Sequence, residues 1–365
     1  MVANRAGPPV RGADLFGRER FVSLLWRKLE AGHILLAAPR RFGKTSVMYR
    51  LIDQPIDDYK IIHADLEYFQ EASDLIMELI VKISADTKLG RLLDGLGTVS
   101  KDIWAGLLNA VSEVEVFELK LKLKEQLHPN WQENGRLLLK RVSDSGQPVL
   151  FILDEFPMMI DRMARLEGRR DEAITLLRWL RAMRVSPEMK NVRFLIAGSI
   201  GIDSVLNGLG EISAINDFEK LRLEPFPPDT AAEFLTALAK TDNLPLSEAC
   251  KQKMVELIGV LVPYFLQILF SEVSKEYMLG GTEITPEKIE RIYRGKNRTD
   301  LPYQSTGRGL QDVLRPLLWP TPGLLSTPGG KGRQNPAPAS RRFRHDDYGF
   351  LLRHIPGRDK YCRDH

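Results

Sequence analysis

The chain has 365 residues, 52 Lys and Arg against 48 Asp and Glu, a net charge of +4 and 43% hydrophobic residues, which suffices for two ordinary cores. No apolar run reaches the length that crosses a bilayer, and residues 1–9 lack the apolar stretch of a secretory signal, so cytoplasm is the expected location. The two cysteines, Cys250 and Cys362, and the six histidines show neither metal-ligand spacing nor a disulfide framework.

Residues 1–13 read as a flexible N-terminal arm. His33-Ile34-Leu35-Leu36-Ala37 reads as a short buried strand, and Ser46-Val47-Met48-Tyr49-Arg50-Leu51-Ile52 carries apolar residues at helical spacing. Between them lies Ala38-Pro39-Arg40-Arg41-Phe42-Gly43-Lys44-Thr45, a phosphate-binding loop in the strand-loop-helix setting that the motif requires. Pro39, Arg40, Arg41, Phe42, Gly43, Lys44, Thr45 and Ser46 are the expected nucleotide cradle. Backbone N–H groups there would face the β-phosphate at the positive end of a helix, Lys44 would reach the β- and γ-phosphates, and the Thr45 hydroxyl would coordinate Mg²⁺. Ala38 stands where the consensus has Gly, which is tolerable if its φ is negative.

Ile61-Ile62-His63-Ala64-Asp65 reads as the next strand, followed by an amphipathic helix from about Ala72 to Ser84. Glu113 to Val116 and Glu118 to Lys124 alternate apolar with charged residues, the period of a half-exposed strand at a sheet edge. Pro148 to Leu153 is an apolar strand ending in Asp154-Glu155. Such a continuous apolar run suits a parallel sheet covered on both faces, where ligands sit beyond the carboxyl ends of the strands. Asp154 is then the second expected Mg²⁺ ligand, through water, and Glu155 is placed to polarise the water that attacks the γ-phosphate. Val192 to Ser199 is a further strand. In an ATPase with an additional strand Ser199 would sense the γ-phosphate; a turn serine satisfying its own backbone is the alternative.

Helical patterning runs from about Asp229 to Thr241 and from Ser247 to Met278, with Pro245 and Pro263 as breaks, and reads as a small helical lid. Ala239-Lys240-Thr241-Asp242 lacks the leading Asn of the guanine-reading tetrapeptide, so ATP is favoured over GTP. From Leu301 onward there is no Glu, and eleven Lys and Arg face five Asp, a net +6 that leaves the preceding residues at about −2. Three readings of this Pro/Gly/Arg-rich tail stay open: a disordered basic arm for nucleic acid or acidic partners, an appendage without a role, and the product of a frameshift.

With these motifs the chain resembles the archaeal-type AAA+ ATPases, a P-loop family related to the STAND and replication-initiator ATPases. The resemblance covers roughly residues 14 to 295 and adds Leu15-Phe16-Gly17-Arg18-Glu19, Ala197-Gly198-Ser199-Ile200-Gly201, Ile215-Asn216-Asp217-Phe218, Leu223-Glu224-Pro225-Phe226 and Val262-Pro263-Tyr264-Phe265-Leu266-Gln267 to the two central motifs. It implies an α/β P-loop NTPase fold, a parallel sheet flanked by helices and followed by a helical lid, with a core over 14–223, the lid over 224–298 and the tail over 299–365. It also implies that Phe16, Gly17 and Arg18 meet the adenine side of the nucleotide and that Pro263 and Tyr264 start the helix that closes over it. Val260-Leu261-Val262 replaces the small or polar residues usual before that helix, which weakens the expectation of lid contacts with phosphate.

Members of this class often need an arginine from a neighbouring subunit at the γ-phosphate. Arg178, Arg181, Arg184 and Arg193 are candidates, although the spacing of the first three also fits the solvated face of a helix. The expected function is an ATPase that acts as a nucleotide-dependent switch, with ATP and Mg²⁺ as ligands, self-association as one route to a complete site and no membrane partner. The alternative is a nucleotide-binding interaction module that does not hydrolyse. DNA binding is subordinate, because the body carries no basic excess.

Overall fold

The computed structural model describes residues 2–86, 88–90, 100–109, 113–199, 201–281 and 283–296; the expected tail with Cys362, and Ile200, lie outside the described residues. Five apolar segments form one parallel sheet: β1 (His33–Ala37), β2 (Lys60–Asp65), β3 (Val149–Asp154), β4 (Val192–Gly198) and β5 (Phe218–Arg222), in the order β2-β3-β4-β1-β5. Because β4 runs between β1 and β3, its end lies between the phosphate loop that follows β1 and the acid pair that ends β3. Ser199 is thus delivered to the gap between them by the strand order.

Side chains alternate across each strand and fill two layers. Ile34, Leu36, Leu150, Ile152, Leu195 and Ala197 pack on one face against α1 (Glu19–Ala31) and α2 (Lys44–Asp53), through Leu25, Leu29, Val47, Met48 and Leu51. Leu35, Phe151, Leu153, Phe194 and Ile196 point to the other face. That face is covered by α3 (Ala72–Ser84), α6 (Trp131–Asp144), α7 (Phe156–Arg165), α8 (Arg170–Val185) and α9 (Ile202–Leu209), with α4 (Lys101–Asn109) and α5 (Glu113–Leu127) further out. With both faces dry, near-continuous apolar strands are the stable choice. Among the described residues, no helix is long and apolar enough to cross a membrane.

The expected edge strand over 113–124 is corrected: this segment is the helix α5. Its inward residues are Val116, Leu119, Lys120, Leu123, Lys124 and Leu127, a helical period that includes two lysines. Lys120 reaches Glu78 at 2.7 Å, and Lys124 reaches Asp74 at 2.7 Å and Glu71 at 3.2 Å, all on or beside α3. Counting every lysine as outward-facing turned this period of 3.6 into an apparent period of 2. The N-terminal arm, expected to be flexible, is anchored: the Val10 N–H donates to Ser46 Oγ at 3.0 Å, and Arg11 stacks 4.1 Å over Tyr49 and pairs with Asp53 at 3.3 Å.

Four more helices, α10 (Pro228–Thr241), α11 (Glu248–Ile258), α12 (Pro263–Gly280) and α13 (Pro286–Lys296), bury their own cluster of Phe234, Leu235, Cys250, Met254, Phe270 and Ile289. Pro263 falls on the first turn of α12, where its missing N–H costs nothing.

At the N-terminal end of the strands, away from the acid pair, His33 Nδ1 accepts from the Phe194 N–H at 3.1 Å and Nε2 lies 3.2 Å from the Arg184 carbonyl, so the ring is neutral with its proton on Nε2. Burial, aided by the Arg184 and Arg193 cations and opposed by the Arg184 carbonyl, pushes its pKa down to about 4. The unfolded chain therefore binds the extra proton first, and the stability that neutral His33 contributes is complete above about pH 6.5 and lost as pH falls toward 4. The gap in Tm between the parent and His33→Gln should be widest at neutral pH and shrink across that window, as thermal melts at several pH values would read directly.

Candidate nucleotide site

The turn from β1 into α2 has the backbone that an anion cradle needs. Ala38 is not among the positive-φ residues, so the departure from Gly at this position is accommodated, and its methyl is buried with the α1 and α2 side chains. The loop reverses through Arg41 at φ 74° and Gly43 at φ 91°, the latter a left-handed position where glycine is favoured. Gly43 caps α2 with no side-chain hydrogen bond, leaving the first N–H groups of the helix to a ligand. Lys44 follows, buried to 6% exposure, with Nζ 3.6 Å from Glu155 Oε1.

Asp154 and Glu155 leave β3 in different directions because Glu155 adopts φ 53° as it caps α7. A left-handed conformation is unfavourable for a glutamate, and here it turns the side chain toward the phosphate loop. Asp154 Oδ2 lies 3.5 Å from Thr45 Oγ1, and Oδ1 accepts the Glu155 N–H at 2.9 Å. Burial raises the Asp154 pKa to about 6, Glu155 and Asp65 push the same way, and Lys44 opposes them. A buried carboxylate with so little compensation favours a cation beside it. Hard oxygen donors from Thr45 and Asp154 fit Mg²⁺, which keeps waters and phosphate oxygens as its other ligands. No group of three or more His, Cys, Asp or Glu residues able to hold a metal occurs among the described residues.

Ser199 lies against Glu155. Its N–H and its hydroxyl both donate to Glu155 Oε2, each at 2.9 Å. Arg40 Nε in turn donates to Ser199 Oγ at 3.3 Å. The close approach behind this arrangement is Gly198, where a Cβ would lie 2.6 Å from the Pro157 ring at the start of α7.

The other expected residues, Phe16, Gly17, Arg18, Ser46 and Arg41, lie at the loop and at its contacts with the neighbouring segments. Arg18 is buried, donates to the Glu224 carbonyl at 2.8 Å and the Phe42 carbonyl at 3.4 Å, and lies 4.6 Å over the Phe226 ring. Desolvation drops its pKa to about 10, with Glu224 holding it up. Gly17 runs tight against α10, where a Cβ would meet Thr230 Cγ2 at 2.6 Å, and Phe16 stacks 5.4 Å from Phe234. All three thus join the core to the lid helices. Ser46 is buried and accepts from the N-terminal arm. Arg41 stacks 4.0 Å over Tyr264, in the first turn of α12.

Of the arginine-finger candidates, Arg184 makes a two-point pair with Asp217 (2.7 and 2.9 Å) and Arg193 donates to the Leu29, Lys190 and Val192 carbonyls, both at the N-terminal end of the strands. Arg178 pairs with Glu211, and Arg181 is half-buried on α8 near Arg184. Contacts that sequence reasoning missed include Glu67 and Met158, which flank Arg40 at 3.9 and 3.8 Å. Neither belongs to a motif, and only the fold brings them there.

No family model matches the chain. A search of curated proteins finds an uncharacterized ATP-binding protein of Methanocaldococcus jannaschii, 20% identical over 308 residues that span 77% of this chain and 83% of that protein. Among solved structures, the Walker-type ATPase of Pyrococcus abyssi matches with a TM-score of 0.52 and 19% identity over 86% of this chain and 79% of that one. The chain shares this P-loop NTPase fold, a five-stranded parallel sheet flanked by helices. Cdc6p of Pyrobaculum aerophilum is also similar, with a TM-score of 0.44 and 15% identity over 78% of this chain and 69% of that one. In this P-loop fold the resemblance to archaeal AAA+ ATPases read from the motifs holds.

Gly198→Ala should force the β4 end and Pro157 apart, costing about 1–3 kcal/mol in a denaturant melt. Nucleotide affinity should change less than turnover, because the disturbance falls on Ser199 and Glu155 rather than on the phosphate loop.

Proposed function

We propose that the chain is a Mg²⁺-dependent ATPase that works as a nucleotide-controlled switch, with residues 14–223 as the core and 224–298 as the lid. The observation that carries this reading is the Glu155 carboxylate, held between Lys44 on one oxygen and the two Ser199 donors on the other. Lys44 and the open N-terminus of α2 would bind the β- and γ-phosphates. Thr45 and Asp154 would hold Mg²⁺, which when bound neutralises charge on the bridging phosphate oxygens. Glu155 would accept the proton of the attacking water while Ser199 fixes its orientation.

The switch reading draws support from residues that tie the phosphate loop to the lid. Arg18 joins the Phe42 carbonyl to Glu224 and Phe226, and Arg41 stacks on Tyr264. Any repacking of the loop around phosphate changes both contacts, so nucleotide state and lid position share one free-energy balance.

Lys44→Ala should weaken ATP binding about 10–100-fold, the worth of a charged hydrogen bond. Glu155→Gln should keep ATP and lose turnover by about 10²–10⁴-fold. Equilibrium binding of a fluorescent ATP analogue together with a phosphate-release assay reads both; variants that bind and hydrolyse like the parent would overturn the assignment.

A further inference from the structure

Hydrolysis leaves negative charge on the γ-phosphate that a cation must meet, and Lys44 and Mg²⁺ are shared with the β-phosphate. Arg40 lies within the phosphate loop, four residues before Lys44. Its Nε is 3.3 Å from Ser199 Oγ, that hydroxyl is 2.9 Å from Glu155 Oε2, and Glu155 Oε1 is 3.6 Å from Lys44 Nζ. Two cations therefore flank the Glu155 carboxylate, one on the side of each oxygen.

We infer that Arg40 binds the γ-phosphate from within the same chain and supplies the charge that other ATPases of this kind take from a neighbouring subunit. This rests on the ATPase reading above. Arg40 is suited to the exchange because its present partners hold it weakly: a neutral hydroxyl, the Met158 sulfur at 3.8 Å and Glu67 at 3.9 Å, with the Arg40 side chain 60% exposed. An ion pair so loose and so solvated contributes little, whereas a guanidinium meets phosphate oxygens through two parallel charged hydrogen bonds. Arg18, Arg178, Arg184 and Arg193 are engaged by carbonyls or carboxylates, and Arg41 stacks on Tyr264.

In the step itself, the water oxygen forms a bond to the γ-phosphorus while the bond from that phosphorus to the β–γ bridging oxygen breaks. The electron pair leaves on ADP, the water proton passes to Glu155, and Arg40 holds the γ-oxygens throughout. ATP and water give ADP, inorganic phosphate and a proton.

The test compares the parent, Arg40→Ala and Arg40→Lys for ADP affinity, for ADP affinity with aluminium fluoride as a γ-phosphate mimic, and for kcat and KM over a range of protein concentrations. The expected result in Arg40→Ala is loss of the extra affinity that aluminium fluoride gives over ADP alone, and a kcat lower by about 10³-fold or more. Arg40→Lys should recover part of the loss, and parental turnover per chain should not depend on protein concentration. Parental kcat in Arg40→Ala, or turnover per chain that rises with protein concentration, would overturn the inference while leaving the ATPase reading intact. A parent that binds ATP without hydrolysing it at any concentration would overturn both.

Discussion

The Glu155 carboxylate is pinned at three points, by the Ser199 N–H and hydroxyl on one oxygen and by Lys44 on the other, and the rest of the site is arranged around that constraint. It requires the loop after β1, the end of β3 and the end of β4 to meet, and the strand order β2-β3-β4-β1-β5 places these three C-terminal ends side by side. It also requires Glu155 to accept a left-handed backbone and Gly198 to lack a Cβ. Both demands are unfavourable locally and are met because a dry, two-faced sheet fixes the strand ends. The same burial raises the pKa of Asp154 to about 6, against the pull of Lys44 and the Glu155 N–H.

A second set of contacts runs from the loop to the C-terminal helices. Arg18 links the loop to the segment before α10 and stacks on Phe226, whose ring lies 5.6 Å from that of Phe234 in the cluster of α10 to α13. Buried arginines are costly unless their donors are used, and the drop in the Arg18 pKa reflects that cost. Sites and lid are thus joined by packing and by charge together, with Arg41 and Tyr264 as a second, more exposed link.

Much of this was legible in the sequence wherever one residue type served one purpose. The loop before Lys44, the acid pair and the bounds of β1 and α3 follow from apolar runs and punctuation. Reading failed where a residue did two things. Lys120 and Lys124 bury their stems and pair with acids on or beside α3, which disguised α5 as a strand. Phe218–Arg222 was not recognised as β5, because its exposed Glu219 and Lys220 break the apolar run of an edge strand. The placement of Arg18 depends on Glu224 and Phe226, some two hundred positions away in the chain. The partnership of Arg40 with Ser199 likewise has no local signal, since it spans 159 positions and exists only once β4 lies beside β1.

The central claim is that nucleotide engages the loop, the acid pair and the start of α12 as one unit. Amide hydrogen exchange of the full chain, with and without saturating ATP and Mg²⁺, tests it most directly. The account predicts slowed exchange at residues 39–47, at 154–158 and at 263–267, with α11 and the β5 edge unchanged. Protection confined to residues 39–47, with exchange at 154–158 and 263–267 unaltered, would contradict it.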